Sequence, residues 1–158
     1  MSRRSSQESG GRQIRQMIPR DIEEVYEFFN KARFPTLISR ARISEITHMG
    51  GCFAMRNGEA GHELQACALV RTRRSVLSTL CVAPHCRGEG IGGDMVDWLT
   101  TNWVRALGDT VPFFERHNYV PVGPPQLGRK LLTQIMMRQG IALVATRLEL
   151  LRRGPEDA

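Results

Sequence analysis

Short apolar runs, each cut off by a polar or glycine-rich turn, set the rhythm of this chain. Arg12-Gln13-Ile14-Arg15-Gln16-Met17-Ile18 alternates polar with apolar residues, as a half-buried strand does, and Pro19 ends it. From Ile22 to Lys31 the period lengthens: Ile22, Val25, Phe28 and Phe29 share one helical face. Asp21 stands where it can cap that helix, and Glu23 and Glu24 in its first turn suit the dipole. The runs 52–56, 64–71 and 75–82 read as strands, parted by Asn57-Gly58 and by Arg71-Thr72-Arg73-Arg74. They predict an antiparallel meander, and one face of it must be covered by helices.

Between the first helix and the meander, Pro35 interrupts the chain, and Ile38, Arg42, Glu45 and Ile46 predict a second short helix. Past residue 92, the apolar residues Met95, Val96, Leu99 and Trp103 recur at helical spacing, which predicts a helix to about Ala106, stopped by Leu107-Gly108-Asp109. Residues 119–123 and 131–138 follow as strands. The run 141–150 alternates at its end like a strand, although its composition also suits a helix; the strand reading is preferred. Residues 1–11 carry no apolar side chain after Met1 and are expected to be a disordered tail, and 151–158 a polar one. The expectation is a single domain over 12–150, of mixed α/β class with a mostly antiparallel central sheet flanked by helices.

The stretch 82–92 carries the chemistry: Val82-Ala83-Pro84-His85-Cys86-Arg87-Gly88-Glu89-Gly90-Ile91-Gly92. A strand stopped by Ala-Pro runs through a glycine-rich turn into a helix. In such a turn successive N–H groups converge on an anion, the helix N-terminus adds its dipole, and glycine lets the backbone come close to a pyrophosphate. A flexible strand-to-helix connection is the plain alternative. No Lys-Ser/Thr follows, so this is not a Walker A loop, and the G-x-G-x-x-G spacing of a dinucleotide fold is absent.

Arg87, Gly90 and Gly92, preceded by Val82 and Pro84, resemble the acyl-CoA-binding motif Q/R-x-x-G-x-G/A of the GNAT family of N-acetyltransferases. The opening Ile14-Arg15 followed by Asp21, and Phe113-Phe114-Glu115-Arg116-His117-Asn118-Tyr119 beside the family's F-Y-E-R-x-G-F, resemble it more loosely. The resemblance implies an acyl-CoA N-acyltransferase-like fold and transfer of an acetyl group from acetyl-CoA to a primary amine. It implies that Arg87, Gly88, Glu89, Gly90, Ile91 and Gly92 hold the pyrophosphate and that the backbone of Leu80, Cys81 and Val82 holds pantetheine. Asn118 falls where the family has a left-handed glycine, a conformation asparagine tolerates.

Three departures bear on mechanism. Only residues 93–112 separate Gly92 from Phe113, and a helix to Ala106 leaves no room for the strand the family places there. Either the sheet lacks that strand, or the run 141–150 fills the gap, from this chain or from a second copy in a homodimer. Phe114 stands in place of the tyrosine proposed as general acid, which leaves Tyr119 as the nearby hydroxyl. The central strand also lacks the family's glutamate base, which leaves Glu45 and His48 as candidates, acting directly or through water. Catalysis survives such losses if positioning supplies the rate. The competing reading is a weakly active or inactive acetyltransferase-like module that binds CoA, protein or nucleic acid.

Composition adds limits. The 158 residues are 41% hydrophobic and 24% charged, ordinary for a globular chain. The net charge of +6 comes almost wholly from scattered arginines, a solvated basic surface with no aromatic-plus-basic stripe to suggest nucleic-acid binding. Cys52, Cys67, Cys81 and Cys86 show no metal spacing, and no metal is expected. Cys81 and Cys86 have no evident activating base that would make either an acyl-transfer nucleophile. With no signal peptide or membrane-length apolar stretch, a reducing cytoplasm is the expected setting.

Overall fold

The computed structural model describes residues 8–9, 12–32, 34, 38–57, 63–127 and 133–139. The chain divides into two compact units, Met1–Thr100 and Thr101–Ala158. The first holds five strands, β1 (Glu8–Ser9), β2 (Arg12–Gln16), β3 (Cys52–Asn57), β4 (Leu64–Arg71) and β5 (Val76–Val82), each antiparallel to the next. Its helices are α1 (Ile22–Lys31), α2 (Arg40–His48) and α3 (Ile91–Leu99).

The alternation of β3 shows which helix lies on which face. Phe53 meets Trp98 of α3 edge-on, with ring centroids 5.5 Å apart. The preceding Cys52 instead meets the Thr47 hydroxyl of α2. Successive strand residues point to opposite faces, so α2 covers one side of the meander and α3 the other. Arg56, in step with Cys52, reaches α1, where one of its N–H groups lies 2.9 Å from Glu24 Oε2 and another bonds Oε1. Arg12, in step with Ile14, lies on the α3 face.

The helix caps follow local chemistry. Ser39 Oγ accepts the Arg42 N–H at 3.1 Å, as an N-cap serine should. Asp21 holds the N-cap position of α1, but its carboxylate turns back to accept the Ile18 N–H at 2.9 Å and closes the short 3-10 turn Pro19–Asp21 instead.

The second unit is a three-stranded antiparallel sheet in the order β6 (Trp103–Leu107), β8 (Thr133–Gln139), β7 (Tyr119–Leu127), with α4 (Val111–Arg116) packed on β6 and β7. Its core centres on Tyr119, 2% exposed, with Phe114 edge-on at 6.0 Å. Asn118, between α4 and β7, takes φ 69°, the left-handed turn that its place in the motif requires.

Two sequence expectations need correction. The helix does not reach Ala106: α3 ends at Leu99, where Thr100 turns left-handed (φ 47°), and residues 103–107 form β6. Trp103 lies four residues after Leu99 and so imitates a helical repeat, yet Val104 and Ala106 are buried and Arg105 is exposed, the period of a strand. The strand expected to be missing is therefore present, and the gap that residues 141–150 were to fill does not exist; that run and 151–158 lie outside the described residues. Glu8–Ser9, assigned on sequence to the disordered tail, pairs with Arg12 and Gln13 through backbone groups, which needs no apolar side chain.

One close approach fixes the meander beneath α2. A Cβ on Gly51 would sit 2.0 Å from the Val70 carbonyl oxygen, while the Val70 N–H donates to Gly51 O at 2.7 Å. Gly51→Ala must push two bonded strands apart and should destabilise the fold by about 3 kcal/mol. Chemical denaturation checks this, and an unchanged midpoint would refute the steric reading.

Candidate functional site

The site begins where β5 ends. The Ala83 N–H donates to Gln65 O at 2.8 Å, the last tie of β5 to β4, and a 3-10 turn over Pro84–Cys86 redirects the chain. Arg87 is extended, Gly88 takes φ 85° and Gly90 φ 78°, and α3 starts at Ile91, with the Asp94 N–H donating to Gly90 O at 3.0 Å. A Cβ built on Gly88 or Gly90 meets no atom within 4 Å. Glycine is thus required there by conformation, and the space beside it is open. The first turn of any helix leaves its N–H groups without intrahelical acceptors; here they belong to Ile91, Gly92 and Gly93, beside a glycine N-cap with no side chain to satisfy them. N–H groups so placed can together accept an anion.

The side chains of the turn face different ways. Ile91 is buried and anchors α3. The exposed Arg87 folds back so that its Nε donates to Val82 O at 3.3 Å, bracing strand end against helix start. Glu89 reaches across to Arg12 of β2, Nη2 to Oε2 at 3.1 Å. Leu80, Cys81 and Val82 lie on the last stretch of β5, paired with Ala68, Cys67 and Ala66. Just upstream the register slips, so that Leu69 faces Thr79 and Val70 faces Leu77; Ser78 is the extra residue, and its hydroxyl donates to Leu69 O at 3.1 Å. Residues 80–82 thus end the strand, and 87–92 span the turn and the helix start.

The catalytic candidates are not gathered in the same way. Glu45 and His48 are exposed on α2, on the sheet face opposite α3. His48 Nδ1 lies 2.7 Å from the Ser44 carbonyl oxygen. A carbonyl can only accept, so Nδ1 carries a proton, and in the neutral ring Nε2 then has the lone pair. Tyr119 belongs to the second unit, and its hydroxyl donates to Thr101 O at 2.6 Å in a buried setting, so its proton is committed to the fold. Phe114, also buried, offers no proton.

A recess of about 480 Å³ in the first unit opens beside Pro84 and His85, with Glu24, Glu27, Glu63 and Lys31 around an apolar floor. Its carboxylates do not add up to a cation site. Arg56 holds Glu24 and lowers its pKa, and Lys31 lines the same recess. Among the described residues there is no group of three or more His, Cys, Asp or Glu side chains that could hold a metal ion, and no helix long and apolar enough to cross a membrane.

Sequence reasoning missed Arg12 and Gln65. Arg12 reads only as a polar position in an alternating strand, and nothing in the sequence marks its reach to residue 89. Gln65 is the extra residue where the β3–β4 register slips, and its side-chain oxygen is buried without a partner in the described structure.

No family model matches the sequence, and no curated protein matches it. Solved structures do. A GNAT-family acetyltransferase from Bacillus cereus superposes with a TM-score of 0.65 at 11% identity, over 81% of this chain and 96% of that one. Diaminobutyrate acetyltransferase from Paenibacillus lautus, solved with L-2,4-diaminobutyric acid and coenzyme A, gives 0.62 at 12%, over 81% and 95%. The fold is therefore that of the GNAT acetyltransferases, a mixed α/β sheet flanked by helices.

Burial makes the thiols poor nucleophiles. All four cysteines are free and buried; desolvation raises Cys52 and Cys81 to about 11 and pushes Cys67 and Cys86 up as well. A raised thiol pKa keeps the neutral, unreactive form at neutral pH. Iodoacetamide at pH 8 should leave Cys52, Cys67 and Cys81 unmodified in the native protein and alkylate them in denaturant. Stoichiometric native labelling of Cys81, read by mass spectrometry, would reopen a covalent role for it.

Proposed function

We propose that this chain is an N-acetyltransferase that moves the acetyl group of acetyl-CoA to a primary amine. The observation that carries the reading is the turn itself. Two left-handed glycines, Gly88 and Gly90, open the first turn of α3 at the end of β5, beside space free of other atoms. The fold supports it, since the solved structures that share it include acetyltransferases, one of them holding coenzyme A.

Backbone N–H groups over residues 88–92 would hold the diphosphate, with Arg87 bracing the turn through Val82 O. Main-chain groups of Leu80, Cys81 and Val82 would hold the pantetheine amides. The cosubstrate supplies an activated thioester. In the reaction a C–N bond forms, the C–S bond breaks, the amine gives up a proton and the departing sulfur gains one. His48, with Nε2 open as an acceptor, and Glu45 are this chain's candidates to receive the amine proton through water. No side-chain acid is assigned to the sulfur, because Phe114 has no proton and Tyr119 is bonded to Thr101. Positioning of an uncharged amine against the carbonyl then carries most of the rate.

That same pair of observations favours a second reading, a CoA-binding module with little or no turnover. Calorimetry with acetyl-CoA, joined to a thiol-release assay over a panel of amines, separates the two. Binding together with thiol release supports the enzyme, and binding without turnover on any amine supports the module. Gly90→Glu forces a side chain and a negative charge into the cradle and should weaken acetyl-CoA binding at least about a hundredfold. An unimpaired Gly90→Glu protein, or a wild type that binds no CoA, would defeat both readings.

A further inference from the structure

A glutamate stands in the middle of the glycine turn. Glu89 lies between Gly88 and Gly90, at the mouth of a helix N-terminus that is argued above to receive a diphosphate. Next to a helix start, a glutamate is favourable in the free protein, yet it repels an incoming anion at the same place. The structure supplies its counter-charge from far away in sequence: Arg12 Nη2 is 3.1 Å from Glu89 Oε2, across 77 positions. The arginine side chain is the more enclosed partner, 26% exposed against 49% for the glutamate. The α3 N-cap is a glycine, so it ties nothing down. Arg87 braces the turn to its own strand, whereas Glu89 is the side chain that ties it to β2.

We propose that Arg12 is a positioning residue for the diphosphate-binding turn. It neutralises Glu89 and holds residues 88–90 against β2, so that the N–H groups of the turn face the ligand with no net opposing charge. The inference rests on the functional reading of the turn and adds to it a residue outside the motif. An exposed ion pair contributes little to global stability, so its removal should act on ligand affinity more than on unfolding.

A double-mutant cycle tests this, with acetyl-CoA affinity read by calorimetry and unfolding temperature read alongside. Arg12→Met keeps most of the stem, leaves Glu89 uncompensated and should weaken binding about tenfold with little change in unfolding temperature. Glu89→Gln leaves the cation beside the cradle and should tighten binding by about two- to fivefold. The double variant should return to within about threefold of the wild type, because nothing remains to be neutralised. Arg12→Lys, which keeps the charge, should recover most of the affinity. If Arg12→Met binds as the wild type does, the proposal fails. It also fails if Arg12→Met is weak and Glu89→Gln does not rescue it, since Arg12 would then act on the ligand directly. A wild type that binds no CoA defeats the functional reading and this proposal with it, whereas either of the other two failures leaves that reading standing.

Discussion

Residue 90 takes φ 78° so that a strand can become a helix without a longer loop. That backbone angle is the constraint on which the candidate site depends. For an L-residue it costs about 1–2 kcal/mol, and for glycine almost nothing. With the turn closed, residues 83–90 carry the chain from the end of β5 to the N-terminus of α3. The surrounding contacts preserve that short path. Ala83 is bonded to Gln65, Arg87 to Val82 and Glu89 to Arg12, and Ile91 is buried. Each holds one point of the turn while leaving its outer face open.

The contrast with Gly51 shows two physical reasons for glycine in one unit. At Gly51 a Cβ would strike the Val70 carbonyl, so the residue is small for want of space. At Gly88 and Gly90 there is room for a Cβ, and glycine is needed for its dihedral angles. Only the second kind leaves main-chain groups open at a helix start. A tight glycine marks packing, and a left-handed glycine in open space at a helix start marks a place where something else can fit.

The meander and the turn are legible in the sequence because their signals are local. Residues 52–56, 64–71 and 75–82 are apolar and bounded by turn residues, and Arg87, Gly90 and Gly92 sit at fixed spacing within six positions. The end of α3 is not legible. Leu99 and Trp103 are four apart, a spacing compatible with a helix, and what stops the helix is the left-handed turn at Thr100, which no glycine or proline announces. The Arg12–Glu89 pair is hidden for a different reason. It depends on β2 and the turn lying on the same face of the sheet, which only the register of four strands determines. Tyr119 illustrates a third case: its hydroxyl is plain in the sequence, but its commitment to Thr101 depends on how β7 packs.

A site built from main-chain groups makes few demands on the surrounding sequence. Solved structures that share this fold are 9–18% identical in sequence, and no family model matches the chain. Backbone N–H groups are the same whatever side chain follows them, so a diphosphate cradle asks for a few glycines and a helix start and leaves its neighbours free to vary. Catalytic acids and bases have no such freedom, because a proton needs a particular side chain at a particular place. Here Gly88 and Gly90 hold their left-handed turns, while Phe114 carries no proton and the Tyr119 hydroxyl is bonded to Thr101. Under the proposed function, the rate would depend mainly on where the reactants are held. For that, the turn and the residues that fix its position matter more than any single proton donor.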